Sequence, residues 1–204
     1  MVNTDGRDGP NDSSGEGGAT PTIPLKAIRG KAGLSLAQAA ELTGVSKAML
    51  GQIERGESSP TLITLWKLAK GFHLPLSAFI EGLTEPTQPP ATSTGAPTRP
   101  ARPVNFGESI SFDTLFAFDP AFGSETFLIH LKPGQTHVSH PHDAGVVEDI
   151  FVTEGVVEIE LDGEWSRYHS GDALRFRADQ PHSYRNPGRI PARFHNTIHY
   201  PQRG

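Results

Sequence analysis

The chain has 204 residues, 18 basic and 23 acidic side chains, a formal charge of −5 and no cysteine. That length holds two small domains. The missing thiols exclude disulfides and thiolate metal sites. No apolar run approaches a membrane span and the N-terminus has no apolar signal core, so a cytoplasmic location is expected. The charge is uneven: between Pro21 and Gly82 seven basic residues face four acidic ones, an excess of three, and the remainder carries a charge of −8. Such asymmetry is informative where the total is not, and the modest local excess fits a module that relies on dimerisation for affinity.

Residues 1–20 are rich in Gly, Asp, Asn and Ser, too polar to offset their ordering entropy, and are expected to form a disordered tail. Residues 21–82 read as one helical domain. A first helix is expected over Ile23 to Lys31, stopped by Ala32-Gly33. Ser35 followed by Gln38 has the form of a capping box, which starts the second helix. Gly44 permits the positive φ of a sharp helix-to-helix turn, and Ser46 caps the third helix. In that helix Leu50 and Ile53 should face inward, together with Val45. Lys47, Ala48, Gly51 and Gln52 should share the outward face.

A helix enters the DNA major groove only if its leading face has little bulk and can donate to phosphates and base edges. Ala48 and Gly51 permit close approach, Gln52 can pair bidentately with adenine, and Lys47 can reach a guanine or a phosphate. With the cap Ser46, these five residues are the candidate contacts to double-stranded DNA. Thr61 caps a fourth helix bearing Leu62, Leu65, Trp66, Leu68 and Ala69 at helical spacing. Trp66 is read as a core or partner-helix residue and not as a ligand platform. Pro75 opens a fifth helix with Leu76, Phe79 and Ile80. From about Leu25 to Phe79, with Ile-Glu-Arg-Gly-Glu and a following Pro, the segment resembles the helix-turn-helix of the phage-repressor (Xre) family. It departs at Leu36, where that family often has a phosphate-binding Gln.

Residues 83–103 are rich in Pro, Thr and Ala without apolar periodicity and are expected to form an extended linker. From 104 to 202 the pattern turns to alternation. Segments near Ser109–Phe118, Glu125–Leu131, Glu148–Val152, Val156–Leu161, Ala173–Arg177 and Arg193–Tyr200 read as strands, separated by Gly-containing turns. Short strands at this spacing indicate a sandwich or barrel.

Every histidine but His73 lies in this second segment. His140 and His142 would share one side of a strand; Glu148 opens the next strand, and a later block brings in His182. Imidazoles and a carboxylate converging inside a barrel suit a divalent ion such as Zn, Mn, Fe or Ni. These blocks resemble the two motifs of the cupin superfamily, the first at Gly134, His140, His142, Glu148 and Gly155, the second at Gly171, His182 and Asn186. The resemblance implies a double-stranded β-helix (jelly-roll) barrel with metal ligands His140, His142, Glu148 and His182. The gap from His142 to Glu148 exceeds the family's usual spacing, so His142 could instead take the first His position, leaving Ala144 in the second. Arg177 and Asp179 stand where the second motif usually has Pro and Gly. Cupins attached to such helical modules often lack metal and bind an organic effector. For an anionic effector Arg175 and Arg185 are the candidate ligands.

Together the two resemblances imply a transcriptional regulator. A five-helix module would bind operator DNA, and a cupin barrel would sense a small molecule, a metal or both. Pairing of barrels into a homodimer would set two recognition helices about 34 Å apart. The competing expectation is a metal-dependent cupin enzyme, an oxygenase or isomerase, with the helices as an accessory. No separate general acid or base can be identified for it.

Overall fold

The computed structural model describes residues 23–80, 104–105 and 109–201. The tail and linker expected from the sequence lie outside these residues. Four helices form the first domain: α1 (Leu25–Lys31), α2 (Leu36–Thr43), α3 (Lys47–Glu54) and α4 (Leu62–Phe72). The caps are those read from the sequence. Ser35 Oγ accepts from Gln38 N while Gln38 Oε1 accepts from Ser35 N, completing the capping box. Ser46 and Thr61 accept from Met49 N and Thr64 N. Gly44 ends α2 in the left-handed region with φ 66°. The first helix begins at Leu25 because Pro24 is its N-cap. The expected fifth helix is a single 3-10 turn, Leu76–Phe79, whose cap bond runs from Ile80 N to Ser77 O.

Packing explains why these helices stay together. Leu25, Ala39, Leu50, Ile53, Leu65 and Leu68 are buried in one core. Arg29 of α1 clamps Glu54 of α3 bidentately, Nε to Oε1 at 2.7 Å and Nη2 to Oε2 at 3.0 Å. The same guanidinium donates to Leu34 O, so one planar fork fixes three parts of the domain. At Gly71 of α4 an added Cβ would lie 2.7 Å from Thr43 Cγ2 and 2.8 Å from its Cα. Glycine there lets α4 cross α2 closely.

Among the described residues ten strands form the second domain. The larger sheet contains β1 (Val104–Asn105), β2 (Ile110–Asp119), β3 (Ser124–Leu131), β5 (Val147–Glu154), β8 (Ala173–Arg177) and β10 (Ala192–His199), in the order β1-β2-β3-β10-β5-β8. The smaller contains β4 (Thr136–Ser139), β6 (Val156–Leu161), β7 (Glu164–His169) and β9 (His182–Arg185), in the order β4-β9-β6-β7. The described pairings are antiparallel. The short strands β4, β7 and β9 are absent from the sequence reading. β7 is a largely exposed edge strand, and β4 and β9 carry polar residues on their inward positions.

The two domains are docked. Glu125, fully buried at the start of β3, accepts from Leu76 N and Ser77 N at 2.9 Å each. Tyr200 OH donates to the same carboxylate. Phe118 N donates to Ser77 Oγ at 3.1 Å. Helix α4 and the 3-10 turn therefore lie across one end of the barrel, with Leu62 and Trp66 of α4 and Leu76 of the turn facing its interior.

Candidate functional site

On α3, Leu50 and Ile53 are buried, as is Val45 just before its cap, and they turn the opposite face outward. Ser46, Lys47, Ala48 and Gln52 are exposed, and so is Met49, which the sequence reading left aside. Gly51 departs from expectation: it is buried. The guanidinium of Arg55 lies over it, with Nη1 3.1 Å from where a Cβ would sit. Arg55 is held there by bidentate bonds to Glu57 at 2.7 Å each, so a cation flanks the slim face. Leu36, at the family's phosphate-binding position, is half-buried against the helical core.

In the barrel, His142, Glu148 and His182 converge. Their ligand atoms lie within 4.8 Å of one another, and all three residues are buried. Strand β4 ends at Ser139, so His140 and His142 do not share the side expected of a strand pair. His140 is exposed and outside the group, a correction to the expected ligand set. On β4 the inward positions are His137 and Ser139. Arg175 and Arg185 are also corrected. Both alternate with buried neighbours, Phe176 and Tyr184, and therefore point out of the barrel. Arg175 is exposed and forks onto Asp149. Arg185 binds Glu158 and lies 4.2 Å over the Trp165 ring.

The group has ordered support. His142 Nε2 lies 2.7 Å from Glu148 Oε1. The other carboxylate oxygen accepts from Asn196 Nδ2 at 2.9 Å and from Tyr184 OH. Burial would raise the Glu148 pKa, but hydrogen bonding and charge from His142, with help from His182 and Tyr184, hold it down to about 2. The Tyr184 hydroxyl is pushed well up by burial and by the Glu148 charge. His182 is lowered by burial against the opposing pull of Glu148. Burial, then the neighbouring His182, lowers His137 to about 4.

His182 Nδ1 lies 2.9 Å from Gln180 O, so this nitrogen carries the proton and Nε2 is left with a free lone pair. Nε2 is buried with no hydrogen-bond partner, and Asn196 Oδ1 is in the same state. Two orphaned acceptors beside an ionised carboxylate fit a cation. The two-His, one-carboxylate donor set and its outer hydrogen bonds fit a divalent metal. Size agrees. The inner cavity, lined by His142, Glu148 and Asn196, measures about 30 Å³, enough for an ion or a water and too small for an organic effector.

Trp66 closes this cavity from the helical side. Its ring stacks on His142 with centroids 3.8 Å apart and planes at 28°. Tyr184, Asn196 and His137 were in reach of the sequence, being in period two with His182, Phe194 and Ser139. Trp66 was not, since nothing local links α4 to the barrel.

A capped helix pair with an exposed slim face, docked on a jelly-roll barrel with an imidazole–carboxylate interior, defines a helix-turn-helix protein with a cupin domain. Comparisons with known proteins agree. The helix-turn-helix family model matches residues 25–79 and the cupin domain model residues 127–198. The chain is 43% identical over 178 residues to the HTH-type transcriptional regulator SutR of Escherichia coli K12, covering 87% of this chain and 93% of that one. It is 27% identical over 171 residues to the regulator PuuR of the same organism, covering 83% and 89%. A crystal structure of an HTH_3 family transcriptional regulator from Vibrio cholerae superposes with TM-score 0.74 at 39% identity, covering 90% and 97%. The chain belongs to the HTH-type transcriptional regulators with a C-terminal cupin domain.

Proposed function

We propose that this regulator reads its operator with the outward face of α3 and holds a divalent metal in the barrel, and that the docked helix α4 links the two. The observation that carries the reading is the division of the helical domain's surface. Lys47, Ala48 and Gln52 are open to a partner, while Trp66 is stacked on a candidate metal ligand. Lys47 and Gln52 supply donors for guanine and adenine edges, and Ala48 keeps the helix close to the groove. Ser46 and Arg55 flank them within reach of phosphate.

His142, Glu148 and His182 would hold the metal. A bound divalent ion supplies fixed positive charge and a Lewis-acidic position. Tyr184 and Asn196 orient Glu148, and Gln180 O sets the His182 tautomer. The 30 Å³ cavity supports sensing over catalysis, because an organic substrate does not fit beside these ligands. Phe116 and Phe151 stand exposed on β2 and β5; they support an isologous homodimer through the larger sheet, which would present two α3 helices to an inverted repeat. No described helix is long and apolar enough to cross a membrane; binding to DNA puts the protein in the cytoplasm.

The test is a gel shift with the DNA upstream of the protein's own coding sequence, over a salt series. Sequence-specific binding that weakens steeply with salt is expected; no specific shift would refute the reading. Metal analysis of protein without a His tag should find about one divalent ion per chain, absent in His182→Ala.

A further inference from the structure

A second cavity, of about 300 Å³, lies outside the barrel in the seam between α4 and the loop that follows β4. It shares Trp66 and His142 with the inner cavity, and the stacked pair forms the wall between them. Its volume falls at the lower end of the range for small-molecule sites, about ten times the inner space.

Its charge is unbalanced. Lys67 and Lys70 both line it. Among the described residues Lys67 has no carboxylate partner, and Lys70 Nζ approaches only the Pro141 carbonyl, at 3.5 Å. The single carboxylate in the lining, Asp143, lies 3.6 Å from His73 Nδ1. Two lysines thus line a chamber whose one acid lies beside a histidine. Apolar surface comes from the Trp66 ring with Leu74 and Val146, and His140, His142 and Tyr200 also line the chamber.

We propose that this seam binds a small organic anion, its acidic head between Lys67 and Lys70 and its apolar body against Trp66. The site is distinct from the barrel interior. Its two walls come from different domains: Trp66, Lys67 and Lys70 from α4, Pro141 and Asp143 from the barrel. A ligand touching both walls binds the docked arrangement better than any other and shifts the population toward it. Helix α4 packs on α2, and α2 on α3, so the occupied seam bears on the DNA surface. The inference rests on the regulator reading and gives its effector a place and a chemical class.

The chain has two tryptophans. Trp165→Phe leaves Trp66 as the sole indole fluorophore, and benzoate serves as the probe. A saturable change in Trp66 emission is expected with a midpoint below about 10 mM, the range of a fragment-sized ligand. Lys67→Gln with Lys70→Gln should raise the midpoint by about tenfold, the loss of charge-assisted hydrogen bonds. Benzamidinium, the same shape with a positive head, should give no saturable change. Saturation-transfer NMR on the unaltered chain repeats the titration should Trp165→Phe perturb folding. No saturable benzoate binding, an unchanged midpoint in the lysine variant, or equal binding of benzamidinium would overturn the seam site. The same samples are run in the operator gel shift. An operator shift without benzoate binding defeats the seam site alone. Benzoate binding without an operator shift defeats the regulator reading and leaves the seam as a ligand site.

Discussion

The helical domain has two working faces, and they are made of different material. The α3 face is short, polar and open: Lys47, Ala48, Met49 and Gln52 are exposed. The α4 face is apolar and closed, with Leu62 and Trp66 over the barrel beside Leu76 of the following 3-10 turn. Between them runs a single tight crossing, α4 on α2, made possible by Gly71. A surface meant for an outside partner keeps its donors unpaired. A surface meant for the rest of the chain pairs the donors it buries at the docking contact, as Leu76 N and Ser77 N do on Glu125.

The largest effect is expected where the two faces meet. Gly71→Ala places a Cβ against the Thr43 backbone, which cannot swing away. Overpacking of this kind costs about 1–3 kcal/mol or more. Thermal unfolding should show the helical domain melting several degrees earlier, and an unchanged midpoint would mean that the crossing is looser than described here.

Next comes the closed face alone. Glu125→Ala leaves Ser77 N and Tyr200 OH without an acceptor and Leu76 N with only the 3.4 Å contact to Tyr200 Oη, at about 1–3 kcal/mol. Calorimetry should record a lower midpoint. The pH dependence has a definite sign. Burial raises the Glu125 pKa above its ordinary 4.5, while bonds from Ser77, Tyr200 and Leu76 pull the other way. The folded chain therefore holds this proton more tightly than the unfolded chain. Its contribution is complete below pH 4.5 and is lost as pH rises through the folded value. Glu125→Gln should remove that slope from the stability profile; an unaltered profile would show that Glu125 is not its source.

The smallest effect is expected at Trp66. Trp66→Phe keeps the apolar lid and weakens the stack on His142, a change of about 1 kcal/mol. Bound metal should then exchange with a chelator faster, measured with a colorimetric indicator. Equal exchange rates would show that the indole does not guard the inner cavity.

The same contrast governs what the sequence reveals. Signals in the helical domain act within a few residues: Ser35 with Gln38, Gly44 at the turn, Thr61 before α4. Each is legible without tertiary knowledge. Gly51 escaped because its cover, Arg55, comes from a turn further along. The barrel site draws on four strands and a loop. His142, Glu148 and His182 were in view, but His140 depended on where β4 ends. Arg175 and Arg185 were recoverable: Phe176 and His182 face inward, so strand parity sends both arginines outward. Trp66 was beyond reach, since the residue it stacks on is 76 positions away in the chain.

The open face carries the account, and one measurement tests it. Fluorescence anisotropy with a labelled operator fragment compares the unaltered chain with Lys47→Ala/Gln52→Ala, with circular dichroism to verify the fold. Losing two base-reading side chains at about 1–3 kcal/mol each should weaken specific binding by about a hundredfold or more. Binding to unrelated DNA should change far less. Equal operator affinity in a folded double variant would contradict the assignment of α3 as the helix that reads DNA.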